Sequence, residues 1–284
     1  MSFQKSKIRK IEIDANKGVV NFTLMKELKL KKVTSTWIPK LLGLNTFAPK
    51  GEELLNFWGL LEKKEFDNYY SLRGAIAEEL LQKILEGKGY KVSRYEAKEN
   101  DYDYFKYDNK NPLYKYFGGL PDIVAKKDDE VLLCEVKSKD LERKKFVDEN
   151  PPQTEVMQGK ILALLYGLDK VAMVWFLFDD DIARKMKNVA EEVQPYDTQK
   201  AVKLYFEKYG YPRFKADYEI IRKDYDIDKK ELLGEMKKAY KYANAFGQTL
   251  TVKISDLDPI LFNEILQLEK ELSNEWKGKR QRIN

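Results

Sequence analysis

The sequence predicts an α/β fold with a mixed central sheet flanked by helices and a mainly helical C-terminal region. Three observations predict it. Residues 70–86 place Leu72, Ile76, Leu80 and Ile84 at four-residue spacing, the stripe of an amphipathic helix. The runs DIVAKK (122–127) and EVLLCEVKSK (130–139) flank Asp128-Asp129, the pattern of two adjacent strands joined by a tight turn. Residues 151–167 then read as a helix with proline near its start and glycine at its end, and VAMVWFLF (171–178) as a strand buried on both faces. The order helix, hairpin, helix, strand is that of an α/β core.

The remaining elements follow in chain order. Residues 9–25 alternate partly around Asn16-Lys17-Gly18, which predicts a hairpin leading into a basic stretch. Residues 52–62 read as helical, and Gly87 and Gly89 stop the helix over 70–86. From 91 to 117 no period is clear, so loops and short strands are expected. Beyond about 180 the pattern is mainly helical, at 181–193, 198–208, 228–246 and 258–276, ending in the basic tail KGKRQR at 277–282. The expected organisation is a hairpin and basic segment (1–33), a core (34–180) and a mainly helical region packed on it (181–284).

Composition narrows the chemistry. Of 284 residues, 43% are hydrophobic and 35% charged, enough apolar content to offset the entropy of ordering. No segment approaches the roughly 20 apolar residues of a membrane span, and MSFQKSKIRK lacks the apolar run of a secretory signal. A cytoplasmic protein without membrane contacts is therefore expected. The one cysteine, Cys134, excludes an internal disulfide and a four-cysteine iron–sulfur or zinc site built by one chain. Histidine is absent, which removes His-based triads and the HExxH zinc site. Hydrolytic chemistry would rest on carboxylates, lysine and a hard, oxygen-loving metal. The net charge of +5 is compatible with nucleic acid without demanding it, and each of the basic clusters at 5–10, 26–32, 137–145 and 277–282, taken alone, reads first as a solvated face or tail.

The most informative stretch is GGLPDIVAKKDDEVLLCEVKSKD, residues 118–140. Asp122 opens one strand, and Glu135 and Lys137, two apart on the next, share a face opposite that of Leu132, Cys134 and Val136. An acid within an apolar strand needs a partner or a metal. Two carboxylates from neighbouring strands can hold Mg²⁺, the metal can polarise a phosphodiester, and a nearby lysine can orient water or stabilise charge. A Glu–Lys pair on the solvent face of an edge strand accounts for the triplet alone. Pro121-Asp122 and the intervening apolar run turn the balance toward a site.

PD, a twelve-residue gap and EVK resemble the signature of the PD-(D/E)XK nuclease superfamily, in the lambda exonuclease and YqaJ-like recombinase branch. The resemblance implies a restriction-endonuclease-like core over 34–180 and a Mg²⁺-dependent DNA nuclease, Mn²⁺ substituting, with Asp122, Glu135 and Lys137 at its centre. It further implies that Val136 lends its backbone carbonyl to the metal. Arg73-Gly74 with Glu78 resembles the RGxxxE element of the first core helix, whose glutamate assists metal binding. Gln158 followed by GLDKVAMVWF resembles the glutamine-bearing helix and next strand of that branch, although Leu162 stands where a QxxxY spacing wants Tyr. The helical wheel puts Glu78 and Glu79 at opposite borders of the apolar stripe, so only the resemblance selects Glu78. On its own wheel Gln158 lies on the buried side, where a hydrogen bond to backbone competes with an active-site role.

Phosphate contacts are expected from Lys139, Arg143 and Lys144, and by resemblance from Arg73 and Ser35, although a helix N-cap is the better reading of Ser35. Trp37, Tyr69 and Tyr70 could stack on bases or pack in the core. The resemblance implies an exonuclease that degrades linear duplex DNA from 5′ ends in recombination or phage DNA processing, in a bacterial or phage-infected cell. It also implies a homo-oligomer and a single-strand annealing partner. The iron–sulfur subgroup of the family carries four cysteines where this chain has one, so no iron–sulfur cluster is expected. Two rival readings share the sequence: a structure-specific or restriction-type endonuclease of the same superfamily, and a DNA-end binding protein without catalysis.

Overall fold

The computed structural model describes residues 3–62, 67–94, 112–244 and 247–281. It opens with strands β1 (Ile8–Asp14), β2 (Val19–Leu28) and β3 (Val33–Thr34), then helices α1 (Trp37–Leu41), α2 (Lys50–Phe57) and α3 (Asn68–Gly87). Strands β4 (Lys91–Arg94), β5 (Phe117–Gly118), β6 (Ile123–Lys127) and β7 (Glu130–Asp140) follow, with helices α4 (Lys144–Glu149) and α5 (Gln153–Leu165) and strand β8 (Lys170–Phe178). Helices α6 (Asp180–Glu192) and α7 (Thr198–Tyr209), strand β9 (Tyr218–Asp226), helix α8 (Lys229–Ala243), strand β10 (Gly247–Lys253) and helix α9 (Pro259–Gln281) complete the order. The fold is α/β with a mixed central sheet flanked by helices, as the helix, hairpin, helix, strand order implies.

Two compact units divide the chain: Met1–Lys64, Lys115–Gly118 and Leu233–Asn284 form the first, Glu65–Tyr114 and Gly119–Leu232 the second. In the first, β2 is the centre of an antiparallel sheet ordered β1-β2-β10, and β3 pairs in parallel with β5. The hairpin expected around Asn16-Lys17-Gly18 is the β1–β2 turn, with Gly18 at φ 64°, where glycine costs least. Trp58 Nε1 donates to the Ala243 carbonyl at 2.7 Å, giving the buried indole the partner it requires.

The second unit holds the five-stranded sheet, ordered β4-β6-β7-β8-β9. All neighbours are antiparallel except β7 and β8. Strand alternation sends Cys134, Val136 and Phe176 to one face, against Leu72 and Ile76 of α3 and residues of α6 and α7. Leu133, Met173 and Trp175 face the other way, against Leu162 and Ala163 of α5. Covered on both sides, β8 is buried from Val171 to Phe178, the condition its unbroken apolar run predicts. Aspartates begin the helices on the first face, with side chains accepting from Tyr69 N (Asp67), Ile182 N (Asp179) and Lys200 N (Asp197).

Several expectations are corrected. The mainly helical reading beyond 180 misses β9 and β10. The former, YEIIRKDYD, is an edge strand whose charges blur the alternation while guarding the open edge. The helix expected over 52–62 ends at Phe57, because Gly59 takes φ 65° and leaves the helical region. The basic run 137–145 is divided between β7, a 3₁₀ turn at Leu141–Arg143 and α4. Of the expected loops and short strands at 91–117, residues 95–111 lie outside the described residues, as does the last residue of the tail at 277–282.

Candidate active site

The hairpin register builds the site. Its two-residue turn at Asp128-Asp129, with Asp128 at φ 51°, sets Ile123 opposite Cys134. One step further along that register puts Asp122 across from Glu135. Asp122 Oδ2 accepts from Val136 N at 2.7 Å, which fixes the carboxylate against β7 just where β6 begins. Glu135 is buried at 0% exposure, and its Oε1 accepts from Lys137 Nζ at 2.5 Å. Its other oxygen, Oε2, is buried without a hydrogen-bond partner, a rare and costly condition for a carboxylate.

Helix α3 supplies the next carboxylate. Arg94 of β4 donates to Glu78 Oε2 at 2.7 Å and to Glu79 Oε2 at 3.0 Å. Glu78 lies within reach of the charges of Asp122 and Lys137. Burial and then the Asp122 charge raise its pKa, while Arg94 and Lys137 oppose the rise. Burial also raises Asp122, against Lys137 and the Val136 amide. Burial and Asp122 together push Glu135 up to about 8. Burial works against the Lys137 ammonium, but Glu135 and Asp122 outweigh it and hold its pKa above the usual lysine value. Three carboxylates, Glu78, Asp122 and Glu135, therefore share one cluster with the cations of Arg94 and Lys137.

A stability prediction follows for protein kept in EDTA. Folded Glu135 keeps a proton that the unfolded chain releases near 4.5, so the folded state binds more protons up to about pH 8. Unfolding free energy should fall as pH rises across that window, measured by urea denaturation. The Glu135→Gln variant should show a flatter profile; an equally steep one would show that other groups titrate.

On the far side of Glu135 lies α5. Glu155, Gln158, Gly159 and Leu162 share a helix face by their three- and four-residue spacing. At Gly159 the helix comes so close that an added Cβ would stand 2.4 Å from Met173 Sδ and 3.5 Å from Glu135 Cβ. Gln158 is half-buried on α5, and its side-chain amide has no hydrogen-bond partner among the described residues. Glu155 accepts from Trp175 Nε1 at 2.8 Å and from Lys139 Nζ, so the ammonium of Lys139 is held against α5. Arg143 is exposed, and Lys144 is exposed with an ion pair to Glu219 at 2.5 Å.

Arg73 occupies an internal position. Its guanidinium, on a side chain only 7% exposed, donates to Ser138 Oγ and Ser138 O at 3.2 Å each, Tyr69 OH at 3.0 Å and Asp140 Oδ1 at 2.5 Å. The rings of Tyr69 and Tyr70 lie 5.0 and 5.1 Å from it. Arg73 thereby ties α3 to the end of β7, the strand that carries Glu135 and Lys137. Arg73→Ala removes four hydrogen bonds, three of them between α3 and the end of β7, among them the one to the half-buried Ser138 carbonyl, and should cost about 1–3 kcal/mol in denaturant unfolding. Arg73→Lys should recover only part of that, since an ammonium cannot span the four acceptors.

Ser35 belongs to the first unit, where it is 2% exposed and its amide donates to the Gly118 carbonyl at 2.7 Å. Thr36, not Ser35, holds the N-cap position of α1, and without a side-chain cap bond. Trp37 packs edge-on against Phe57, with ring centroids 5.5 Å apart. The structure thus gathers Glu78, Asp122, Glu135 and Lys137, with α5 alongside. It adds two residues that the sequence did not single out, Arg94 and Glu155.

The donor set can be tested against a metal. Among the described residues no three Asp, Glu or Cys side chains close into a ready cation cage. What the site does hold is a buried carboxylate oxygen with no partner and a second carboxylate across the hairpin. Hard oxygen donors, one of them a buried carboxyl that a divalent cation would draw into its charged form, fit Mg²⁺ or Mn²⁺, with water completing the coordination.

No protein-family model matches the chain, and no curated protein matches it. Among solved structures, the crystal structure of an alkaline exonuclease from Laribacter hongkongensis is similar at 14% identity and a TM-score of 0.41, over 90% of this chain and 96% of that one. The structure of the same exonuclease in complex with dAMP gives 14% identity and a TM-score of 0.42 over the same shares. At this distance the likeness assigns neither residue roles nor activity.

Proposed function

We propose that the chain is a Mg²⁺-dependent DNA nuclease that hydrolyses phosphodiester bonds, with Mn²⁺ able to substitute. The observation that carries this reading is the partnerless, buried Glu135 Oε2 beside Asp122 and Lys137. Asp122, Glu135 and the backbone carbonyl of Val136 would hold the ion, with Glu78 adding charge from α3. A divalent cation bound there supplies the Lewis acid that polarises the scissile phosphate. Lys137 keeps its ammonium on the same strand face, two residues along, where it orients water and stabilises the charge that develops during attack. Arg94 holds Glu78, Arg73 braces the helix that carries it, and the half-buried amide of Gln158 remains available to an occupant of the site.

The exposed cations of Arg143 and Lys144 follow the metal face directly and would take the DNA backbone. The surface pair between Lys144 and Glu219 is weak enough to yield to a phosphate. Lys139, half-covered and held by Glu155, would contribute second. The finer reading is an exonuclease that degrades linear duplex DNA from 5′ ends. It rests on the sequence order of Arg73-Gly74, Glu78, Asp122, Glu135, Lys137 and Gln158.

The test incubates duplex labelled separately at each end beside covalently closed plasmid, in Mg²⁺ and in EDTA. Nucleotide release from 5′-phosphorylated linear ends, with the circle untouched and EDTA abolishing release, is the expected result. Linearisation of the circle would make the enzyme an endonuclease, and no metal-dependent cleavage of either substrate would overturn the reading.

A further inference from the structure

The sheet face opposite Glu135 carries a feature that the proposed nuclease does not use. A cavity of about 420 Å³ opens there, lined by Leu81 and Ile84 of α3, Leu132 and Cys134 of β7, Ile220 of β9 and the ring of Phe214. Lys88 and Arg222 are the charged residues among its lining, and both are exposed, so they stand at the mouth. Asp224 neutralises Arg222 at 2.9 Å. Lys88 has no carboxylate partner among the described residues, and neither does Lys83, one and a half turns back on α3. Lys83 instead holds its ammonium 3.4 Å from the centre of the Tyr211 ring, which stacks on Phe206 with centroids 4.1 Å apart. Tyr209, Tyr211 and Phe214 are 41%, 48% and 54% exposed, so apolar surface continues from the cavity wall along one segment.

We propose that this cavity and the adjoining 209–214 segment dock an acidic peptide segment of another protein, which inserts one large apolar side chain between α3 and β9. A nucleobase is disfavoured, because the apolar floor would leave its ring nitrogens and carbonyls without partners. A small amphiphile would fill the cavity but leave the exposed aromatic surface beyond it uncovered. An apolar anchor in a pocket, ringed by partnered and unpartnered charge, is the usual anatomy of a peptide hot spot. Lys83 and Lys88 supply the positive side of that ring; Glu86, between them on α3, is occupied by Gln82.

The probe is a fluorescein-labelled peptide, Asp-Asp-Glu-Asp-Leu-Phe, read by anisotropy in EDTA so that binding is independent of any cleavage. A matched peptide with lysine at the acidic positions is the control. Saturable binding of the acidic peptide alone is expected. It should weaken at least about tenfold in the double variant Lys83→Glu/Lys88→Glu, and likewise in Ile220→Trp, which fills the cavity. The exposed charge reversals should leave the protein folded and Mg²⁺-dependent cleavage of linear DNA unchanged. Absence of binding, equal binding of the lysine peptide, or affinity unmoved by the charge reversals would overturn the proposal. So would dodecanoate binding that excludes the peptide, which assigns the cavity to small amphiphiles, or self-association abolished by the charge reversals, which assigns it to a second copy of this chain.

Discussion

Asp122→Asn and Glu135→Gln should each lower the single-turnover rate of duplex cleavage at least about 10³-fold, because each removes a charge on which the metal site is built. The amides keep the shape of the carboxylates, so neither variant opens a cavity. Both should also lose the stabilisation that Mg²⁺ confers on the unsubstituted protein. A ligand at a hundred times its Kd raises folding free energy by about 2.7 kcal/mol, a shift that a thermal melt resolves. The melt is the sharper measurement, because it reads the donor set without requiring catalysis. If Glu135→Gln cut DNA at the unsubstituted rate, or if Mg²⁺ stabilised it as before, the partnerless oxygen of Glu135 would not be a metal ligand. Loss of cleavage with Mg²⁺ stabilisation intact would place the residue in substrate positioning instead.

What made this pair legible in the sequence is hairpin geometry. A two-residue turn at Asp128-Asp129 leaves the strands only one register, and that register sets Asp122 against Glu135. Alternation then carries Lys137 to the face of Glu135 without further information. The helices over 70–86 and 151–167 were legible because their apolar stripes are long and end at glycine. Arg94 was not, because a four-residue strand offers too little period to recognise. The signal existed in the lengths. From Gly87 back to Glu78 a helix covers about 14 Å, and from Tyr90 to Arg94 a strand covers about 13 Å, so a reversal at Gly89 brings Arg94 level with Glu78. Glu155 was beyond reach, since its partners Lys139 and Trp175 come from two strands that only tertiary packing brings under α5. The charged edge strand β9 hid its period in the residues that protect its edge.

Lys137→Met should lower the maximal cleavage rate about 10²–10³-fold, the cost of deleting a positioned electrostatic group, with little change in KM. Methionine keeps most of the aliphatic stem, so packing against β8 changes little, and the charge is what the variant removes. The ammonium donates to Glu135 Oε1 on a side chain 22% exposed, near enough to the surface to meet a substrate. Lys137→Met also strips Glu135 of its hydrogen-bond donor, which by itself would destabilise the metal-free protein. Saturating Mg²⁺ should compensate for that loss by occupying the same carboxylate, so melts with and without the ion separate the structural effect from the catalytic one. Lys137→Arg keeps the charge but spreads it over a wider, planar group, and should retain more activity than Lys137→Met without matching the unsubstituted protein. A rise in KM at constant turnover would show that Lys137 grips the phosphate in the ground state. Equal rate losses in the arginine and methionine variants would show that the position of the ammonium, more than its charge, sets the rate.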